Sequence, residues 1–101
     1  CSPFAGDIER NTVHARRYCR FVVDSGGIPI APHLLFPQFM DDEDEQDHEL
    51  SIFMNIALMS KCAEVWVFGE HISKGMIAEI RKAEEKQRPV RYFTADCEEV
   101  S

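Results

Sequence analysis

The sequence predicts an α/β domain: a flavodoxin- or Rossmann-like three-layer sandwich around a mostly parallel, four-stranded sheet of order 2-1-3-4. Three observations carry this. Short runs of β-branched and aromatic residues alternate with stretches of helical periodicity, giving β-α-β-α-β-α-β. The clearest run, Val65-Trp66-Val67-Phe68, is wholly apolar, as a strand covered on both faces must be. The segments between runs are long enough to be helical crossovers, which join parallel strands with right-handed connections. With 101 residues, 45% of them apolar, the chain has the makings of one domain, residues 1–101, with a small core.

Cys1 to Asp7, CSPFAGD, reads as the end of a first strand running into a Pro/Gly turn. The chain opens on Cys1 rather than Met, so part of that strand is expected to precede it. Asn11 is a good N-cap, and Ala15, Tyr18, Cys19 and Val22 recur at helical spacing opposite Arg16, Arg17 and Arg20. Gly26-Gly27 stops that helix. Ile28-Pro29-Ile30-Ala31 is the expected second strand, its proline placing it at an edge or a strand start. Pro32 to Met40 is too rich in proline for regular structure and too apolar for a solvated loop, so it is expected to fold over the sheet.

The acidic run Asp41 to Glu49 suits a solvated loop and the first turn of a helix, where the macrodipole favours carboxylates. It lacks the central glycine and ligand spacing of a calcium loop. Leu50, Phe53, Met54, Ala57 and Leu58 form the expected inward face of that helix, which ends near Lys61. After the Val65 strand, Gly69 breaks the chain, and a helix from about Lys74 to Lys86 presents Met76, Ile80 and Ala83 inward. Val90-Arg91-Tyr92-Phe93 is the expected last strand, and the acidic tail 94–101 is expected to fray.

Bulk properties narrow the function. A net charge of −7 with no basic cluster argues against a nucleic-acid polymer as partner, since phosphate contacts need grouped Lys and Arg. No apolar run is long enough to span a membrane, and no signal peptide is expected. Cys1, Cys19, Cys62 and Cys97 are scattered without CxxC spacing, which reads as free thiols in a reducing cytoplasm rather than a metal site. No GxGxxG fingerprint, P-loop or GxSxG elbow is present.

In the expected topology the switch point brings Phe4 to Asp7 beside Gly69 to Glu79, with His33 on the rim. Glu79 is then a carboxylate in the first turn of a helix, and Gly75, four residues earlier, leaves room for a ligand to approach the backbone. Such a carboxylate can be a nucleophile toward a sugar carbon. Asp7 could protonate a leaving base or bind a ribose hydroxyl, and His33 could bind a base or act as an acid. Ser73 can serve as an N-cap and equally as a phosphate donor.

These residues resemble a known family. Ser2-Pro3-Phe4 with Gly6, Asn11 with Ala15, Gly27 to His33, and Gly75-Met76-Ile77-Ala78-Glu79-Ile80 together resemble the nucleoside 2-deoxyribosyltransferase-like superfamily, in particular its short DUF4406- or DUF7768-type members. The last segment is similar to the family's Gly-Thr-x-x-Glu-Leu pattern, whose glutamate is the nucleophile. The resemblance therefore implies Glu79 as nucleophile, and Phe4, Gly6 and Asp7 lining the nucleoside pocket. It places His33 and Phe36 near the base, Ser73, Gly75 and Met76 near the sugar or its 5′ substituent, and Asn11 and Gly69 in the substrate-binding set. The sequence departs from the family where aspartates are usual, holding Glu64 and the Ile72-Ser73-Lys74 segment there. Met76 replaces the usual threonine and Arg81 a glycine.

The implied activity is cleavage or transfer at the N-glycosidic bond of a (deoxy)nucleoside or nucleoside 5′-monophosphate, with no metal and no organic cofactor. The rival expectations are a nucleotide-binding or sensing module of the same fold, and a docking role for the acidic run toward a basic partner. The resemblance also implies a homo-oligomer.

Overall fold

A computed structural model describes residues 2, 8–41 and 43–100 of the chain. Its centre is the parallel pair β1 (Val65–Phe68) and β2 (Val90–Phe93), joined through helix α4 (Lys74–Glu85). The pair is in register from Val65 opposite Val90 to Phe68 opposite Phe93. Alternation along each strand sends side chains to opposite faces, so the two faces of this small sheet carry different residues. Val65 and Val67 face α4, where Met59, Met76, Ile80 and Ala83 close around them. Ala83 is 0% exposed and Val67 1%. Burying a side chain the size of Val67 stabilises by about 1.5–3 kcal/mol, and the expected inward stripe of Met76, Ile80 and Ala83 is the one observed.

The opposite face is aromatic. Trp66, Phe68 and Phe93 meet Tyr18 and Phe21 from α1 (Ile8–Asp24). Tyr18 stacks on Phe68 with centroids 4.3 Å apart, and Phe21 meets Phe93 edge-on at 5.4 Å. These are the offset and T-shaped arrangements that the ring quadrupoles favour. Helix α1 ends in a Schellman motif: Gly27 N donates to Val22 O at 2.9 Å and Gly26 N to Val23 O at 3.0 Å. Gly26 takes the left-handed conformation that this cap needs, at φ +91°.

Several expectations are corrected. The sheet is not the four-stranded, mostly parallel sheet of a flavodoxin- or Rossmann-like sandwich. Among the described residues it has three strands in the order β1-β2-β3, and only β1 and β2 are parallel. The third strand, β3 (Glu99–Val100), is antiparallel to β2 and comes from the tail whose composition suggests fraying. Its anchor is Arg91, whose Nε and Nη2 each donate to Glu99 at 2.7 Å while the guanidinium lies over Trp66. Thr94 Oγ1 accepts from the amides of Asp96 and Glu98, closing the turn that returns the chain.

The expected second strand does not form. Residues 28–31 pair with no strand among the described residues, Pro29 has no N–H to offer a ladder, and Ile28 is 92% exposed. The expected first strand lies outside the described residues, apart from Ser2. Asn11 is not an N-cap, because α1 is already helical from Ile8.

The Pro32 segment is not irregular. It makes the short helix α2 (Pro32–Leu35) followed by a 3-10 turn at Phe36–Gln38, with Pro32 and Pro37 in first-turn positions where their missing N–H groups cost nothing. Helix α3 (Glu45–Met59) is capped by Asp44, which accepts from the amides of Gln46 and Asp47. It is rotated from the expected orientation: Phe53 is 70% exposed, and Met59 is the residue of α3 that is buried.

Candidate functional site

The N-terminal turn of α4 follows from two local devices. Ser73 Oγ accepts from Met76 N at 3.2 Å, and Met76 Sδ accepts from Ser73 N at 3.5 Å, so serine and methionine form a reciprocal capping box. This accounts for Met76 where the resembling family has a threonine. Its side chain is 3% exposed, packing into the core and supplying the second half of the cap. Ser73 is the N-cap that the sequence suggests.

Glu79 is six positions past that cap, in the second turn of α4 rather than the first. It therefore does not serve chiefly as a macrodipole complement, since that effect fades after one turn. Its carboxylate reaches across to α3, where Asn55 Nδ2 donates to Oε1 at 2.5 Å. Burial pushes the Glu79 carboxyl above the usual glutamate range, and the Asn55 hydrogen bond pulls the other way by favouring the charged form.

The pair lies on the wall of a cavity of about 1000 Å³. Tyr18 and Cys19 of α1, the residue 26–31 segment, α2, one row of α3 and the start of α4 line it. That volume is at the upper end for small-molecule sites, and a largely apolar wall with a few convergent polar groups is their usual composition. Gly75 opens onto it. Among the described residues, a Cβ built at Gly75 would meet only Ser73 Oγ, at 4.0 Å, so no packing among them explains the missing side chain.

His33 and Phe36 line the same cavity. Ser2 Oγ and His33 Nε2 are hydrogen-bonded at 3.0 Å. Burial lowers the imidazole from its ordinary 6.5 to about 4. At neutral pH only about one molecule in a thousand then carries the second proton. His33 is thus suited to holding a polar group of a ligand by neutral hydrogen bonds and ill suited to donating a proton.

The structure brings Glu79, His33, Phe36, Ser73, Gly75 and Met76 to one cavity. It does not bring Asn11 or Gly69 there. Asn11 lies within α1. Gly69 acts on the backbone alone, turning the chain out of β1 at φ +92° while its amide donates to Phe93 O at 3.0 Å. Phe4, Gly6 and Asp7 lie outside the described residues. Sequence reasoning missed Asn55. Its signal was a lone amide within the apolar run Ile52 to Leu58, four residues from Ser51 and from Met59, on the row that faces the cavity.

Residues 1–93 match the family model described as a domain of unknown function, DUF7768. The chain belongs to the DUF7768 family. No curated protein and no solved structure matches it. Among the described residues of this DUF7768 domain, no group of three or more His, Cys, Asp and Glu side chains is placed to hold a metal ion. Cys19, Cys62 and Cys97 are free thiols. Among the described residues, no helix is long and apolar enough to cross a membrane.

Proposed function

We propose that the domain cleaves, or transfers at, the N-glycosidic bond of a (deoxy)nucleoside or nucleoside 5′-monophosphate, with Glu79 as nucleophile. One observation carries the reading: a half-buried carboxylate, held from a second helix, on the wall of a cavity of about 1000 Å³ beside an open glycine. The resemblance of Gly75 to Ile80 to a glycosyl-transferring motif supports the same choice.

In this mechanism a Glu79 oxygen attacks the anomeric carbon as the carbon–nitrogen bond breaks. The bonding pair leaves with the base, which takes a proton, and a glycosyl–glutamate ester forms. Water or a second base then attacks the same carbon and releases the carboxylate. His33, neutral at pH 7, would orient the base through hydrogen bonds. The proton for the base would come from another acid, the role assigned to Asp7 on sequence grounds. Burial of Glu79 raises its basicity and so its nucleophilicity, while the Asn55 hydrogen bond favours the charged form.

The test is incubation with a panel of nucleosides and nucleoside 5′-monophosphates, followed by chromatography for free base. Release that disappears in Glu79→Ala supports the reading. Tight nucleotide binding with no free base after hours would instead make the domain a binding module. Full turnover by Glu79→Ala would remove the nucleophile assignment.

A further inference from the structure

We propose that Asn55 is the positioning residue of Glu79, tethering Oε1 from a second helix and so fixing the plane of the carboxylate on the cavity wall. This rests on the glutamate-nucleophile reading and assigns a role to a residue that neither the sequence motif nor the resemblance includes.

Asn55 and Glu79 are 24 positions apart and lie on different helices, so their contact depends on the packing of α3 against α4. The terminal torsion of a glutamate is intrinsically broad. A nucleophile benefits from the opposite, because small errors of aim cost large factors in rate. An amide N–H donor on Oε1 makes the two carboxylate oxygens inequivalent. It does so without bringing a charge: an arginine or lysine at this place would neutralise the nucleophile, and an aspartate would repel it. An ionised carboxylate only accepts, so the amide must present its NH2 group to it.

Nothing in the helix itself calls for asparagine at this position. Asparagine is a poor helix former and stands in an otherwise apolar run, half-buried, with its side chain turned to the cavity wall. Leucine would serve packing better. Other charged or imidazole side chains on that wall are His33, Asp47, His48, Lys61, Glu64 and Lys74. All of them are retained when Asn55 alone is changed, so a comparison of Glu79 with and without its amide partner holds their fields constant.

The experiment uses the whole domain and two independent readouts. In the first, the Glu79 carboxyl is titrated by carbon-13 NMR in wild type, Asn55→Gln, Asn55→Leu and Asn55→Asp, with Glu79→Gln for assignment. Thermal melts of every variant confirm that each is folded. The expected result is a midpoint that moves to higher pH in Asn55→Leu and further in Asn55→Asp, with Asn55→Gln nearest wild type. A wild-type midpoint in a folded Asn55→Leu would overturn the proposal. The second readout applies to any substrate from the nucleoside panel. There kcat falls about 10- to 100-fold in Asn55→Leu with little change in KM, with partial rescue by Asn55→Gln. A kcat that is unchanged would overturn it equally. If wild type releases no base at all, the function reading fails while the titration still decides whether Asn55 governs Glu79.

Discussion

Replacing Gly75 with alanine separates what the fold needs from what the cavity needs. Gly75 is the second residue of α4, its φ is not in the left-handed region, and a methyl there would meet only Ser73 Oγ at ordinary van der Waals distance, 4.0 Å. Nothing among the described residues therefore opposes the new side chain. What changes is the unfolded chain, which loses conformational freedom when glycine becomes alanine. At a compatible position this stabilises by about 0.4–1 kcal/mol. For a domain of this size that is a rise in Tm of about 2–8 °C. The same methyl projects into space at the cavity edge where a ligand would approach the start of α4. The assay pairs thermal melting, followed by circular dichroism, with base release from the best substrate of the panel. Alanine is expected to melt higher and to turn over at least about tenfold more slowly, because a 1 Å displacement of a reacting group costs that much or more. A lower Tm would refute the inference that the space is open. A higher Tm with unchanged turnover would show that ligands do not use this opening.

Three other outcomes are expected. Ser73→Ala removes the acceptor for Met76 N and should cost about 0.5–2 kcal/mol in chemical denaturation; a loss within error would mean that the methionine half of the box suffices. Glu79→Gln should raise stability at neutral pH while abolishing turnover. A carboxyl whose folded pKa is raised by burial supports the fold fully below its unfolded value of 4.5, and that support is lost as pH rises through the folded value, so removing the charge removes the loss; denaturation midpoints at pH 4 and pH 7 check the sign. His33 acts in the opposite sense. Its folded value of about 4 lies below the ordinary 6.5, so stability should fall as pH drops through that window, by about 3 kcal/mol in all. His33→Phe should flatten this part of the pH curve, and an unflattened curve would assign the acid sensitivity elsewhere.

What could be read in the sequence was whatever depends on near neighbours. β1, α4 and β2 match expectation almost to the residue, because an uninterrupted apolar tetrapeptide, a serine cap with a 3.6-residue stripe, and a proline-led strand are each decided locally. What could not be read depends on partners. Ile28 to Ala31 has the composition of a strand, but composition supplies no neighbour for its backbone, and it runs as a segment outside the sheet. The tail is acidic enough to suggest disorder, yet Glu99 finds Arg91 eight residues back and completes a third strand. Helix α3 offers two competing stripes, one richer in large apolar residues and one carrying Ser51, Asn55 and Met59. Leu50 and Phe53 of the richer stripe face outward, while the other stripe borders the cavity and the Glu79 carboxylate. Of the candidate site, the α4 half was legible from its motif and the α3 half was not, since Asn55 is meaningful only once two helices are packed.

The connection of β1 to β2 through α4 also bears on how the domain is assembled in time. Val65, Val67, Met76, Ile80, Ala83 and Val90 form one packed group, and all of them come from a single unbroken stretch of chain. Contacts between residues near in sequence close small loops, which is fast and costs little entropy. This stretch is therefore the natural nucleus, and α1 can dock its aromatic face onto a surface already made. Disturbing the valine face should slow folding, whereas disturbing the Tyr18 and Phe21 face should mainly hasten unfolding. The cavity, which needs α1, α2, α3 and α4 at once, would be the last feature of the molecule to exist.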